Sequence, residues 1–191
     1  MQLEEARRII EGTLPTKRYV HTLGVVETAR HLAELYGEPI DQVVLAAMLH
    51  DYAKYRDSGE MKKIAIELGK RELLDYDDEL LHAPIGAELV KRELHVADPV
   101  VLRAIANHTT GEPGMSRIDQ IIFVADAIEP NRTYPGVEQL REVANKDLTH
   151  AVVRTLAHTI RYLIGKEERI FPLTIETYND FIFQLRKGTV I

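Results

Sequence analysis

The chain contains no cysteine, which excludes a disulfide framework and any thiolate metal site. A metal, if one is used, must be held by His, Asp or Glu. No apolar run approaches the roughly 20 residues that a membrane-spanning helix needs. The first residues, Met1-Gln2-Leu3-Glu4-Glu5, are acidic and have no apolar core of a signal peptide. Basic residues are not in excess: the net charge is −6, which argues against a nucleic-acid surface. An anionic small molecule would need a local basic site or a metal. Period-two strands of convincing length, repeats, low-complexity segments and interdomain linkers are also missing. What is left is a chain of 191 residues, 45% hydrophobic and 28% charged. That suits one globular domain with a sizeable core. The expectation is a cytoplasmic enzyme or binding protein that meets a small molecule, with no nucleic acid and no membrane.

The apolar pattern is helical in every long segment, so the fold class is expected to be all-α. Val20, Leu23, Val26, Ala29, Leu32 and Ala33 recur at helical spacing. Pro15 suits the first turn of that helix and Gly37 its end. A second helix is expected from about Asp41 to Lys54. A third would be capped by Ser58, with Met61, Ile64, Ala65 and Leu68 buried. Pro84 to Leu94 reads as a fourth, and Asp98-Pro99 opens a fifth that ends near His108 and Gly111. Ile118 to Ile128 is a sixth. Asp147 caps a long seventh carrying Val152, Val153, Leu156, Ile160, Leu163 and Ile164. Thr174 caps a last one, Ile175 to Leu185. The loop Glu129-Pro130-Asn131-Arg132-Thr133-Tyr134-Pro135-Gly136 is polar and holds two prolines. Such loops beside a site tend to carry ligand contacts.

His50-Asp51 follows the apolar run Val43-Val44-Leu45-Ala46-Ala47-Met48-Leu49. An imidazole and a carboxylate at the end of a hydrophobic helix can supply two metal ligands. His21 lies upstream; His82, His108 and Asp126 lie downstream. The order His, His-Asp, His, His, Asp resembles the HD-domain phosphohydrolase pattern. Taken that way, His21, His50, Asp51 and Asp126 form the first shell of an octahedral ion with open positions for water and substrate. Nitrogen and oxygen donors suit Fe, Mn, Co, Ni or Zn. His82 and His108 either complete a second metal site or contact phosphate. Arg18 shares a helix face with His21, where its guanidinium can clamp a phosphate. Tyr52, Tyr55 and Tyr134 are candidate base-stacking residues, although Tyr is as often a packing residue. His31, His95, His150 and His158 fit no slot.

Beyond this pattern the chain resembles the bacterial YqeK family, described as symmetrical bis(5′-nucleosyl)-tetraphosphatases. The match runs through Arg18-Tyr19-Val20-His21-Thr22 and His50-Asp51-Tyr52-Ala53-Lys54. It continues in His82-Ala83-Pro84-Ile85-Gly86-Ala87 and Asn107-His108-Thr109-Thr110-Gly111. The most specific segment is Ala125-Asp126-Ala127-Ile128-Glu129-Pro130-Asn131-Arg132, with Pro135-Gly136-Val137 after it. Phe171-Pro172-Leu173-Thr174 and Thr177-Tyr178-Asn179 extend the likeness to the C-terminal part. The resemblance implies hydrolysis of diadenosine tetraphosphate to two ADP with bound iron. It implies His21, His50, Asp51 and Asp126 as metal ligands. Arg18, His82, His108, Thr109 and Arg132 would be phosphate contacts, and Thr174, Tyr178 and Asn179 part of a nucleoside pocket. Asp51, His82, His108 and Arg18 would then act at the reacting phosphate, with Asp126 also near the substrate. One domain spanning 1–191 is expected, with a metal-binding core over about 15–130 and C-terminal helices over about 137–187 closing the pocket. Alternatives are an HD nucleotidase or phosphodiesterase acting on another nucleotide, a non-catalytic nucleotide sensor, and a helical partner-binding protein. A homodimer is left open.

Overall fold

The structure is a computed structural model that describes residues 1–188. Ten α-helices and two 3₁₀ turns make it up, and no strand occurs among the described residues. The all-α expectation holds. Helix α2 (Thr16–Tyr36) starts after Pro15 and ends at Gly37, whose φ of 71° is the left-handed conformation that glycine adopts without a Cβ penalty. Helix α3 (Ile40–Leu49) and helix α7 (Arg117–Ile128) are buried on nearly every side. Their sequences are apolar all round, which is how a central helix reads. Helix α7 is started by a reciprocal capping box between Ser116 and Asp119. It packs against α2, α3, α6 (Pro99–Asn107), α8 (Val137–Ala144) and α9 (Leu148–Gly165). Helix α6 closes on α3 and on α5 (Pro84–Glu93). Helix α10 (Pro172–Gly188) lies along α9.

Several boundaries differ from the sequence reading. Helix α3 stops at Leu49 and does not reach Lys54. Residues 50–56 instead turn through Tyr52 N–H to Leu49 O, Lys54 N–H to Asp51 O and Arg56 N–H to Ala53 O. These tighter i to i−3 bonds swing Asp51 off the helix axis. Asp57, not Ser58, caps α4 (Ser58–Glu67), accepting from Glu60 N. Leu68 lies past the end of α4 and is 37% exposed; Met61, Ile64 and Ala65 are buried as expected. Ile164 is also exposed, because α9 outruns the core. Helix α10 begins at Pro172, placing Thr174 inside its first turn rather than at its cap. Helix α1 (Leu3–Thr13), which buries Ala6 and Ile10 and packs on α3, has no counterpart in the expected set. Between α4 and α5 the chain forms the 3₁₀ turns Arg71–Asp75 and Asp78–His82, also unforeseen. No helix of the described residues is long and apolar enough to cross a membrane.

Candidate active site

Four imidazoles arrive at one point, three of them by one local device. His50 directly follows α3 and His108 directly follows α6, while His82 ends the 3₁₀ turn Asp78–His82. The last carbonyls of a helix have no partner within it. Each of these rings donates Nδ1–H to the carbonyl three residues back: His50 to Ala47 O at 2.7 Å, His108 to Ile105 O at 2.7 Å, and His82 to Glu79 O. A carbonyl only accepts, so Nδ1 carries the proton and Nε2 presents its lone pair. His21, in α2, does the same through a carboxylate, its Nδ1 lying 3.1 Å from Glu129 Oε1.

The four Nε2 atoms converge on Asp51. His50 Nε2 is 3.2 Å and His21 Nε2 3.8 Å from Asp51 Oδ2. His82 Nε2 is 3.4 Å and His108 Nε2 3.9 Å from Asp51 Oδ1. Arg18 holds Oδ2 at 2.8 Å. Asp126, in the last turn of α7, puts Oδ1 3.0 Å from His21 Nε2 and 2.7 Å from the Arg132 guanidinium. Two trios, His21-His50-Asp51 and Asp51-His82-His108, bring donor atoms close enough to share an ion. Two observations fit a cation there. With Nδ1 protonated, the buried Nε2 lone pairs of His21 and His50 face carboxylate oxygens with no proton between them, an arrangement that is costly without a ligand. The negative ends of α3, α6 and α7 also meet at this point.

The charge states of His82 and His108 agree with lone pairs on Nε2. Burial, with the charges of His108 and Lys54 added, pushes His82 down to about 3. Burial and His50 push His108 down to about 4. Both are neutral imidazoles near neutral pH. For Asp51 burial opposes ionisation, but the surrounding His50, His108 and His82 prevail and hold the carboxyl well below its usual range. Burial likewise opposes ionisation of Asp126, and the adjacent His21, His50 and Arg132 prevail and hold it below its usual range. For His50, desolvation is outweighed by Asp51, and its pKa is raised.

Beside this cluster a cleft of about 600 Å³ holds Arg18, Asp51, Lys54, His82, His108, Thr109, Asp126, Arg132 and Thr174 together. The cleft brings together residues up to 156 positions apart; of the three nucleoside-pocket candidates only Thr174 lines it. Tyr178 packs against the core and Asn179 is exposed; neither lines this cleft. Tyr52 is buried and hydrogen-bonds Glu93, a packing role. His158 lies against the ring of Tyr134, with centroids 4.4 Å apart, and lines the cleft, although the sequence assigned it no place.

Glu129 is the residue that sequence reasoning missed. It is 2% exposed, and its Oε2 accepts from Asn131 N at 2.7 Å and Asn131 Nδ2 at 3.0 Å. That leaves Oε1 to orient His21. Gly24 makes the approach feasible: a Cβ there would stand 2.5 Å from Glu129 Oε2. A glycine inside a helix costs about 1 kcal/mol against alanine, and this close packing is its reason. Arg141 of α8 secures the loop by donating to Ile128 O, Glu129 O and Arg132 O. The available signal was the acid three residues after Asp126, paired with a glycine in α2.

The HD domain family matches residues 18–131, more than half of the chain. A symmetrical bis(5′-nucleosyl)-tetraphosphatase of Halalkalibacterium halodurans is 46% identical over 96% of this chain and 99% of its own length. The enzyme of that name from Bacillus subtilis is 46% identical over 94% of this chain and 97% of its own. A solved structure from Clostridium acetobutylicum, described as a predicted HD superfamily hydrolase involved in NAD metabolism, superposes with a TM-score of 0.91. It is 35% identical, covering 96% of this chain and 98% of that one. The chain belongs to the HD domain family and, within it, to the YqeK-type symmetrical bis(5′-nucleosyl)-tetraphosphatases.

Proposed function

We propose that this protein hydrolyses diadenosine tetraphosphate symmetrically, adding one water and releasing two ADP, with a divalent metal in its site. One observation carries the reading beyond family membership. Four imidazoles with Nδ1 tied off aim their Nε2 atoms at one buried carboxylate, beneath a cleft lined by two arginines.

His21, His50, Asp51 and Asp126 are the proposed ligands, with iron the proposed metal on the strength of the family resemblance. When bound, such an ion supplies Lewis acidity and lowers the pKa of a coordinated water. The remaining work falls to the chain itself. Arg18 and Arg132, now paired with Asp51 and Asp126, carry the charge that phosphate oxygens require. His82 and His108 face the same cleft with Nε2 atoms 3.0 Å apart. A polyphosphate arriving there favours their charged forms, so that a ring neutral in the free protein takes up a proton and donates to a phosphate oxygen. Thr109 Oγ1, buried and without a partner, is a further donor. Helices α9 and α10 close the far side, with Thr174 at the nucleoside end. Attack at the second phosphorus from one nucleoside breaks its bond to the bridging oxygen, and the other ADP leaves. Arg18 and Arg132 offset the charge that develops on that oxygen.

Incubation of metal-loaded protein with diadenosine tetraphosphate, followed by chromatography, is expected to give ADP alone at early times. Early ATP plus AMP would overturn symmetrical cleavage.

A further inference from the structure

A second cleft, of about 720 Å³, opens on the other side of Arg18. It is as large as the first, and both fall within the roughly 300–1,000 Å³ range of small-molecule sites. The two clefts share three wall residues, Arg18, Arg132 and Tyr134. Tyr134 is fixed in that wall by its hydroxyl, which donates to Ala127 O at 2.8 Å, and by the ring of His158 behind it. The second cleft reaches the metal-ligand cluster through His21, and the first reaches it through Asp51 and Asp126. Hence the candidate reacting point sits where two separate cavities meet, not at the bottom of one.

The chemistry of the second cleft suits a nucleotide. Lys17 is exposed at its edge and adds to Arg18 and Arg132. The Glu129 carboxylate in its floor is already engaged by His21 and Asn131. Tyr55, in the turn after α3, lines it with 61% of its surface exposed. Its hydroxyl is engaged by Arg18 while the ring face stays open, and a flat exposed ring at a basic cleft is a platform for a base.

We infer that this second cleft is the site for the other nucleoside diphosphate half of the substrate, with Tyr55 stacking on its base and Lys17 meeting its phosphates. The inference rests on the proposed cleavage of a dinucleotide. A substrate with a nucleoside at each end and its scissile bond in the middle needs a cavity on either side of the reacting phosphorus. The shared Arg18 and Arg132 stand where the central phosphates would cross.

The test is to count ADP. Metal-loaded wild type, titrated by equilibrium dialysis, is expected to bind two ADP per chain. Tyr55→Ala is expected to bind one, and Tyr55→Phe two, because the ring face is kept. Loss of one stacking contact is expected to raise KM for diadenosine tetraphosphate by about tenfold in Tyr55→Ala, with a smaller change in kcat. Lys17→Ala, on the exposed edge, is expected to weaken the second ADP and gives an independent reading should Tyr55→Ala fold poorly. One ADP per saturated wild-type chain, or two in Tyr55→Ala with KM unmoved, overturns the second site. The two claims can fail separately. Cleavage of the dinucleotide with only one ADP bound leaves the activity standing and removes the site. Two bound ADP without cleavage removes the activity and leaves the site.

Discussion

On one side of the Asp51 carboxylate stand His21 and His50, with Asp126 and Glu129 beside them. On the other stand His82 and His108, facing each other, with the charge of Lys54 nearby and no second carboxylate in contact. The arrangement is alike on both sides: an imidazole clamped through Nδ1, with Nε2 turned inward. The surroundings differ in sign. Carboxylates on the first side favour a cation, whereas on the second a lysine and two neutral imidazoles able to take up a proton suit an anion. In the proposed function a single buried Asp51 divides a metal half from a phosphate half, and the substrate's phosphates span the two.

The largest effect is expected where both halves are broken together. Asp51→Asn removes the shared charge and should lower kcat/KM by on the order of 10³-fold, with the metal lost. His50→Ala should likewise deplete the metal, whereas His82→Ala should retain it and lose activity. Elemental analysis of the purified variants checks this contrast, and equal metal loss in both would show the halves to be alike. Next, Arg132→Ala should keep its metal while kcat/KM falls by about 10- to 150-fold, the equivalent of the roughly 1.5–3 kcal/mol of a charge-assisted hydrogen bond. Steady-state kinetics beside metal content tests it.

A smaller effect is expected at Gly24→Ala. The added Cβ would displace the Glu129 carboxylate from the slot it occupies, and His21 would lose its orienting partner. Removal of such a partner typically costs 10–100-fold in metal affinity. A competition titration with a chelating dye should show a loss near the low end of that range, about tenfold.

The smallest effect concerns pH. In metal-free protein His82 is pushed down to about 3 and His108 to about 4, from the ordinary 6.5. Below pH 6.5 the unfolded chain takes up protons on these rings while the folded chain does not. Stability should therefore fall as the pH drops from 6.5 towards 4. His82→Asn should flatten that slope, as read from urea midpoints across the range.

The helical character of every long segment, the stops at Gly37 and Leu94, and the caps Asp98 and Asp147 were legible in the sequence, because they depend on residues a few positions apart. So were the candidates His21, His50, Asp51, His82, His108 and Asp126, which folding brings together and whose types limit any metal chemistry to nitrogen and oxygen ligands. Tertiary structure decided the rest. The early end of α3 depends on a ring that binds back to Ala47 O, and helical periodicity cannot report a bond of that kind. Glu129 acquires its role only because Gly24, 105 positions earlier, leaves room for it. The division into two halves arises because helix ends remote in sequence deliver like side chains into unlike electrostatic surroundings. Residue identity sets what each group can do, and the neighbours brought in by folding set its charge and its partner.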